Sequence, residues 1–233
     1  MPACSVNSQC IYRFIFTLVL FMMVPPVQAG PAPQPNLDVD IQTSLGHIIV
    51  RLDQDRAPQT VANFLQYIRA KAYDGTIFHR VISDFMIQGG GYSQDFNKRP
   101  TRPPVINEAD NGLKNSRGTI AMARTRDPQS ATNQFFINSV DNGFLDHRDN
   151  SVHGWGYTVF GRVIEGMDVV DRISAVKTGP GGPFDRDVPR EAVIIEHIGM
   201  RETDAAKAAS RYLHLSNIDN IMAMDILTIA LRR

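Results

Sequence analysis

Residues 78–91 read FHRVISDFMIQGGG, and this stretch decides how the rest of the chain is interpreted. The branched and aromatic residues in 77–82 and 85–88 predict two short strands joined by a bend. The three glycines end the second strand. Because alternate residues of a strand share a face, each strand can present a polar side chain, Arg80 or Gln88, beside an apolar one. The stretch therefore predicts a charged hydrogen-bond donor next to an apolar surface.

Three further blocks make the interpretation specific. They are GTIAMAR at 118–124, NQFFI at 133–137 and GFLD at 143–146. Together with the first stretch, and in this order and spacing, they resemble the signature blocks of the cyclophilin family of peptidyl-prolyl cis–trans isomerases. The resemblance extends from about Leu37 to about Met200.

The hydrophobic pattern outside these blocks predicts many strands and two helices, without the strand-helix-strand alternation of a parallel sheet. Alternating apolar residues predict a hairpin over 37–52 and later strands at 119–123, 135–138, 158–163 and 192–198. An apolar stripe after Ala57-Pro58 predicts one helix, and 166–173 a second. These elements indicate an antiparallel barrel capped by helices. With the resemblance, the expected fold is mainly β, a closed eight-stranded antiparallel barrel capped by two α-helices.

The resemblance also implies a site that accelerates rotation about the peptide bond preceding proline. Carried over residue by residue, it assigns the catalytic role to Arg80 and an orienting role to Gln88. The residues that match the family's proline pocket and substrate-binding wall are Phe85, Met86, Ala123, Arg124, Gln134, Phe136 and Leu145. Rotation needs no nucleophile or proton carrier, so neither a cofactor nor a metal ion is implied.

Two aromatic positions of the substrate-binding wall depart from the best-known eukaryotic members. Phe144 stands where they have tryptophan, and Tyr157 stands where they have histidine. Both choices keep an aromatic wall, so isomerase activity is still expected. Because the indole N–H donor is lost, cyclosporin binding is expected to be weak.

The ends of the chain lie outside the resemblance. Residues 1–29 have one positive charge at Arg13, an apolar run over 15–24 and a small residue at Ala29, which predicts a cleaved secretory signal peptide and a periplasmic or secreted protein. An uncleaved membrane anchor is the alternative. Both cysteines of the chain, Cys4 and Cys10, lie in this segment. The sequence further predicts a proline-rich spacer over 30–36, an isomerase domain over 37–200 and an extension of unknown role over 201–233.

The balance of charge excludes one class of partner. Lysine plus arginine equals aspartate plus glutamate, 24 against 24, so no basic surface for nucleic acid is expected. The expected partners are proline-containing unfolded or exported proteins, bound by a monomer. A chaperone that binds proline segments without turnover is the main alternative, and a structural subunit of an envelope complex is a third. Retention of Arg80 and Gln88 favours the enzyme.

Weaker patterns in the 146–156 loop have simpler explanations. His147-Arg148-Asp149 resembles part of a kinase catalytic loop, but no glycine-rich nucleotide loop accompanies it. His147 and His153, with the neighbouring aspartates, could bind a metal ion. A solvated loop is the favoured interpretation of these residues.

Overall fold

The computed structural model describes residues 37–201, and its main feature is one antiparallel sheet of nine strands. The strands are β1 (Leu37–Thr43), β2 (Gly46–Leu52), β3 (Thr76–Ile77), β4 (Arg80–Ile82), β5 (Met86–Gly89), β6 (Thr119–Met122), β7 (Phe135–Asn138), β8 (Val159–Glu165) and β11 (Ile194–Met200). Their order across the sheet is β3-β11-β1-β2-β8-β6-β7-β5-β4. Of the described strands, the remaining two, β9 (Thr178–Gly181) and β10 (Phe184–Pro189), pair with each other and form a separate hairpin.

The connection between β3 and β4 forces the nine-stranded sheet to curl. Strand β3 pairs with β11 at one end of the sheet, and β4 pairs with β5 at the other. Phe78 and His79 alone separate β3 from β4 along the chain, so the two ends of the sheet lie within about 11 Å of each other. The sheet is therefore rolled into a barrel, although no ladder joins β3 to β4 within residues 37–201.

Helix α1 (Pro58–Arg69) packs its apolar stripe into the main core. The residues predicted from three- and four-residue spacing are all buried: Val61, Phe64, Leu65 and Ile68. The first turn of the helix leaves backbone amides without a partner inside the helix. Those of Gln59 and Thr60 donate hydrogen bonds to the Glu108 carboxylate, at 3.1 and 2.8 Å. A side chain from the irregular 93–116 region thus caps the helix and ties that region to the barrel.

Helix α2 (Met167–Ser174) begins after a turn that requires glycine. Gly166 has a φ of +87°, and a Cβ there would lie 2.2 Å from the carbonyl oxygen of His47. Only glycine therefore allows this close approach to β2. The helix buries Val169, Val170 and Ile173 in the same core as α1.

The structure confirms the predicted mainly β, antiparallel barrel with two helices. The main sheet has nine strands where eight were predicted, and no ladder closes it between β3 and β4 within residues 37–201, so the predicted closure holds only roughly. The stretch 77–82, predicted as one strand, is divided at Phe78-His79 between the two ends of the sheet. The reason is that the Phe78 amide donates to the Val193 carbonyl at 2.9 Å, whereas Arg80 begins a new ladder with β5. The β9–β10 hairpin was not predicted.

Three predicted segments lie outside the described residues: the signal peptide over 1–29, the spacer over 30–36, and the extension from residue 202 onward. Arg201 is the last described residue, and its amide donates to the Asp38 carbonyl at 2.8 Å. Within residues 37–201, no helix has the length and apolar character needed to cross a bilayer.

Candidate active site

A chain of hydrogen-bonded polar side chains links β4, β5 and the start of β7. The antiparallel register places Arg80 directly opposite Gln88. The Arg80 Nη1 donates to the Gln88 Oε1 at 3.3 Å, and the Gln88 Nε2 donates to the Gln134 Oε1 at 2.9 Å. The guanidinium is thereby oriented by a neutral amide whose own orientation is fixed by a second amide.

Gly91 makes room for the last member of this polar chain. A Cβ at this position would lie 2.6 Å from three atoms of the Gln134 side chain. The third glycine of the GGG run therefore does more than end β5, because its bare backbone lets Gln134 reach Gln88.

An apolar floor lies beside the polar chain. Met86, Ala121, Phe136, Leu145 and Val159 form a buried cluster that is separate from the main core under the helices. Met86 and Phe136 come from β5 and β7, which are paired in the sheet, whereas Leu145 comes from a single 3-10 turn over Gly143–Leu145. The sheet supplies most of the floor and the 3-10 turn supplies the rest.

The turn between β4 and β5 holds a further aromatic residue at the edge of the floor. Asp84 adopts a φ of +56°, and the Phe85 amide donates to the Ile82 carbonyl at 3.2 Å, so the predicted bend at 83–84 is present. The Phe85 carbonyl accepts the Asn142 side-chain amide at 2.8 Å. The Phe85 ring stacks on Phe144 with centroids 5.5 Å apart. Phe144 itself is 68% exposed.

The opposite wall is built around Arg124 and Tyr157. The Arg124 guanidinium lies 4.4 Å from the centroid of the Tyr157 ring, and its Nε donates to the Gly156 carbonyl at 2.9 Å. The Tyr157 ring also meets the edge of Phe136 at 5.7 Å. This cation–π contact and hydrogen bond hold the arginine against the wall. Ala123 adjoins it, and its amide donates to the Gln134 carbonyl at 2.9 Å.

Three aromatic side chains that were not predicted complete the site: His79, Tyr92 and Phe184. His79 is buried and contacts the rings of Tyr92 and Phe184, at centroid distances of 4.8 and 5.5 Å. Burial, reinforced by the positive charge of Arg80, lowers the pKa of His79 to about 4, although the nearby polar groups of Ile77 and Gln134 oppose the change. The imidazole is therefore neutral at physiological pH.

These side chains surround a cavity of about 230 Å³. Ten of the eleven residues predicted for the site line it: Arg80, Phe85, Met86, Gln88, Ala123, Arg124, Gln134, Phe136, Leu145 and Tyr157. The eleventh, Phe144, does not line the cavity and lies behind Phe85 instead. The cavity is thus lined by charged and amide groups together with the apolar side chains of the floor.

Comparison with known proteins identifies the fold and its chemistry. The family model for cyclophilin type peptidyl-prolyl cis-trans isomerase/CLD matches residues 38–200. The chain belongs to this family. The match begins in β1 and ends with the last residue of β11, so the cyclophilin domain coincides with the barrel.

Relatives support the assignment at high identity. The chain is 58% identical over 158 residues to peptidyl-prolyl cis-trans isomerase cyp18 of Streptomyces antibioticus, covering 68% of this chain and 95% of that protein. It is 54% identical over 164 residues to peptidyl-prolyl cis-trans isomerase B of Escherichia coli, covering 70% and 99%. A crystal structure of a cyclophilin type isomerase from Cryptosporidium parvum superposes with a TM-score of 0.56 at 25% identity, covering 72% and 99%. The protein is thus a cyclophilin-type peptidyl-prolyl cis–trans isomerase.

The sequence offered a signal for one of the site residues that were not predicted, and none for another. His79 lies between Phe78 and Arg80 in the opening stretch, and its place beside a predicted catalytic arginine was a usable signal. Phe184 lies more than a hundred residues away, among glycines, prolines and aspartates. No local pattern connects it with this cyclophilin's cavity, which it reaches only through the β9–β10 hairpin.

Proposed function

We propose that this cyclophilin accelerates rotation about X-Pro bonds in exported proteins while they fold, in the periplasm or outside the cell. The proposed acceleration of X-Pro rotation rests on one observation, the hydrogen-bonded chain Arg80–Gln88–Gln134 beside an apolar cavity. The exported substrates are inferred from the signal-like pattern of residues 1–29.

The chemistry needed at such a site is limited. An X-Pro bond favours trans only slightly, yet rotation must cross a barrier of roughly 18–20 kcal/mol because the nitrogen lone pair is conjugated with the carbonyl. Conjugation is lost in the twisted state, and the prolyl nitrogen becomes a better hydrogen-bond acceptor. An enzyme accelerates rotation if it stabilises this state more than the planar ones.

Arg80 is the group suited to that task. A proline ring seated on Met86, Phe136 and Leu145 would lie within the cavity that the guanidinium borders. An N–H of Arg80 then donates to the nitrogen as conjugation is lost, while Gln88 keeps the guanidinium in place. Exclusion of water by the apolar floor strengthens this hydrogen bond.

Rotation in this site involves no proton transfer. Arginine stays charged throughout the physiological range, and His79, the histidine that borders the cavity, is neutral because its pKa lies near 4. Turnover is therefore expected to be nearly constant between about pH 6 and pH 9. A second crystal structure of the Cryptosporidium parvum isomerase was determined in the presence of the dipeptide Ala-Pro, which supports an X-Pro ligand for this chain as well.

The chemical part is tested by a protease-coupled isomerase assay on a short Ala-Pro peptide. Arg80→Ala is expected to lower kcat/KM by roughly two to three powers of ten, the loss seen when one preorganised donor is removed from a transition state. Arg80→Lys should not restore it fully, because a point charge cannot replace the planar fork. The control is Arg126→Ala, which removes an exposed arginine that does not line the cavity. Normal turnover by a folded Arg80→Ala protein would refute the assignment.

The export part is tested on the protein isolated from its native host. N-terminal sequencing is expected to begin at Gly30 in a periplasmic or extracellular fraction. A protein that retains Met1 and fractionates with membranes would favour the anchor instead.

A further inference from the structure

The β9–β10 hairpin contacts two consecutive residues of the segment that carries the catalytic arginine. Its Phe184 ring stacks on His79 with an interplanar angle of 27° and meets Tyr92 edge-on at 5.1 Å. Gly182 has a φ of +51°, and a Cβ there would lie 2.2 Å from the Phe96 ring. The hairpin is thus packed firmly against the site, in direct contact with its aromatic residues.

A bulge in this hairpin directs one carboxylate toward Arg80. The β9–β10 register is interrupted between Phe184 and Val188, and Asp187, within the bulge, has a φ of +66°. Aspartate and asparagine are among the few residues other than glycine that enter this left-handed region readily. The Asp187 Oδ2 lies 3.9 Å from the Arg80 Nε and 3.6 Å from the Arg186 Nε.

Arg80 is consequently held from two sides. Gln88 accepts a hydrogen bond from its Nη1, and the Asp187 carboxylate faces its Nε. The Asp187 side chain is 24% exposed and that of Arg80 is 41% exposed, so water screens the pair only in part. An arginine side chain has several rotatable bonds, and a carboxylate near its Nε, in addition to the amide partner of its Nη1, disfavours other positions of the guanidinium.

We propose that Asp187 is a positioning residue for isomerisation, which fixes the Arg80 guanidinium over the cavity without contacting the substrate. The proposal rests on the catalytic role given to Arg80 above. Asp187 is absent from the residues that line the cavity, whereas Phe184 from the same hairpin lines it. The hairpin therefore serves the site in two ways: an aromatic residue forms part of the wall, and a carboxylate orients the donor.

The test variant is Asp187→Asn, which keeps the size of the side chain and its tolerance of the left-handed region while removing the charge. With an uncharged Ala-Pro peptide, kcat is expected to fall about two- to fivefold, the range set by partly exposed ion pairs, while KM changes little. Asp185→Asn is the matched control, because Asp185 lies on the same strand and is exposed. A change in KM alone, an unchanged kcat, or an equal loss in the control would overturn the proposal.

Measuring the effect of Asp187→Asn in a protein that already lacks Arg80 separates a positioning role from a general structural effect. In Arg80→Ala protein, adding Asp187→Asn should cause no further loss, because no guanidinium remains to be oriented. An additional loss of similar size would mean that Asp187 stabilises the hairpin only. Raising the salt concentration to about 1 M should bring wild-type kcat toward that of Asp187→Asn and leave the variant unchanged.

The outcomes distinguish this inference from the assignment of Arg80. If Arg80→Ala is impaired and Asp187→Asn is normal, the positioning role alone is refuted. If Arg80→Ala is itself normal, the catalytic assignment fails first. Should Asp187→Asn not fold, Asp187→Gly adopts the same backbone conformation and gives the same comparison.

Discussion

Buried His79 should make the stability of the barrel depend on pH in the acid range. The imidazole is enclosed by Tyr92 and Phe184, and its Nδ1 has no hydrogen-bond partner within residues 37–201. Replacing it by phenylalanine removes the titrating group and keeps a ring in the aromatic cluster. The variant His79→Phe therefore isolates the contribution of the imidazole's protonation.

The size of the effect follows from the pKa of this histidine. It falls from the ordinary 6.5 to about 4 on folding, because burial disfavours the charged form. Between these values the unfolded chain binds more protons than the native one, so native stability is complete above about pH 6.5 and is lost as pH falls toward 4. At 1.36 kcal/mol per pKa unit, the wild type loses about 2 kcal/mol by pH 5 and about 3 kcal/mol by pH 4.

Urea unfolding of wild type and His79→Phe at several pH values between 4 and 7.5 measures how much of the free energy of unfolding depends on protonation of His79. The wild-type free energy of unfolding should fall relative to that of His79→Phe by the amounts above. His153→Gln, at an exposed loop position, should follow the wild type. If wild type and His79→Phe lose stability in parallel from pH 7 to pH 5, His79 is not buried as a neutral group, and the argument for pH-independent turnover loses its support.

Three further predictions concern the site and its surroundings. Phe144→Trp should improve cyclosporin binding, which we expect to be weak, by up to roughly tenfold in a titration, since one restored hydrogen bond is worth about 0.5–1.5 kcal/mol; no gain with an intact fold would remove Phe144 from the ligand-binding wall. Gly91→Ala should displace Gln134 and lower kcat about two- to tenfold with little change in Tm, as the loss of one hydrogen bond predicts; an unchanged kcat would show that Gln134 does not support Gln88. A chain ending at Arg201 should keep full turnover, and loss of activity in a folded truncation would assign a role to the extension.

Much of the fold could be predicted because its signals are local. The apolar stripe of α1, the bend between β4 and β5 and the alternation in β1 and β2 each arise within a few residues. The pairing of Arg80 with Gln88 is also local, because a hairpin of nine residues joins them, whereas their roles in the site were inferred from the resemblance to the cyclophilin family. For these elements, propensity, pattern and tertiary structure agree.

The parts that escaped prediction depend on tertiary contacts. Nothing local distinguishes residues 178–189 from a loop, because the segment has no alternation and is rich in glycine, proline and charge. It forms a hairpin because Phe184 finds an aromatic cluster that is distant in the sequence. Similarly, the break at Phe78-His79 is set by the Val193 carbonyl, which lies far along the chain. The strand count and the Asp187 contact were for this reason outside the reach of pattern analysis.

The pairing of β1 with β11 has a consequence for the order in which the barrel can be assembled. Val39 lies opposite Met200, and β11 also bridges β1 to β3. Until β11 is available, β1 lacks a partner on one edge and β3 lacks its ladder partner among the described strands, so the barrel lacks the strand between them. A chain that emerges from its N-terminus first therefore remains incomplete until about residue 200 has appeared. The last of the described strands to be synthesised is therefore the one that completes the sheet, so the domain folds as a whole only when nearly all of it is present.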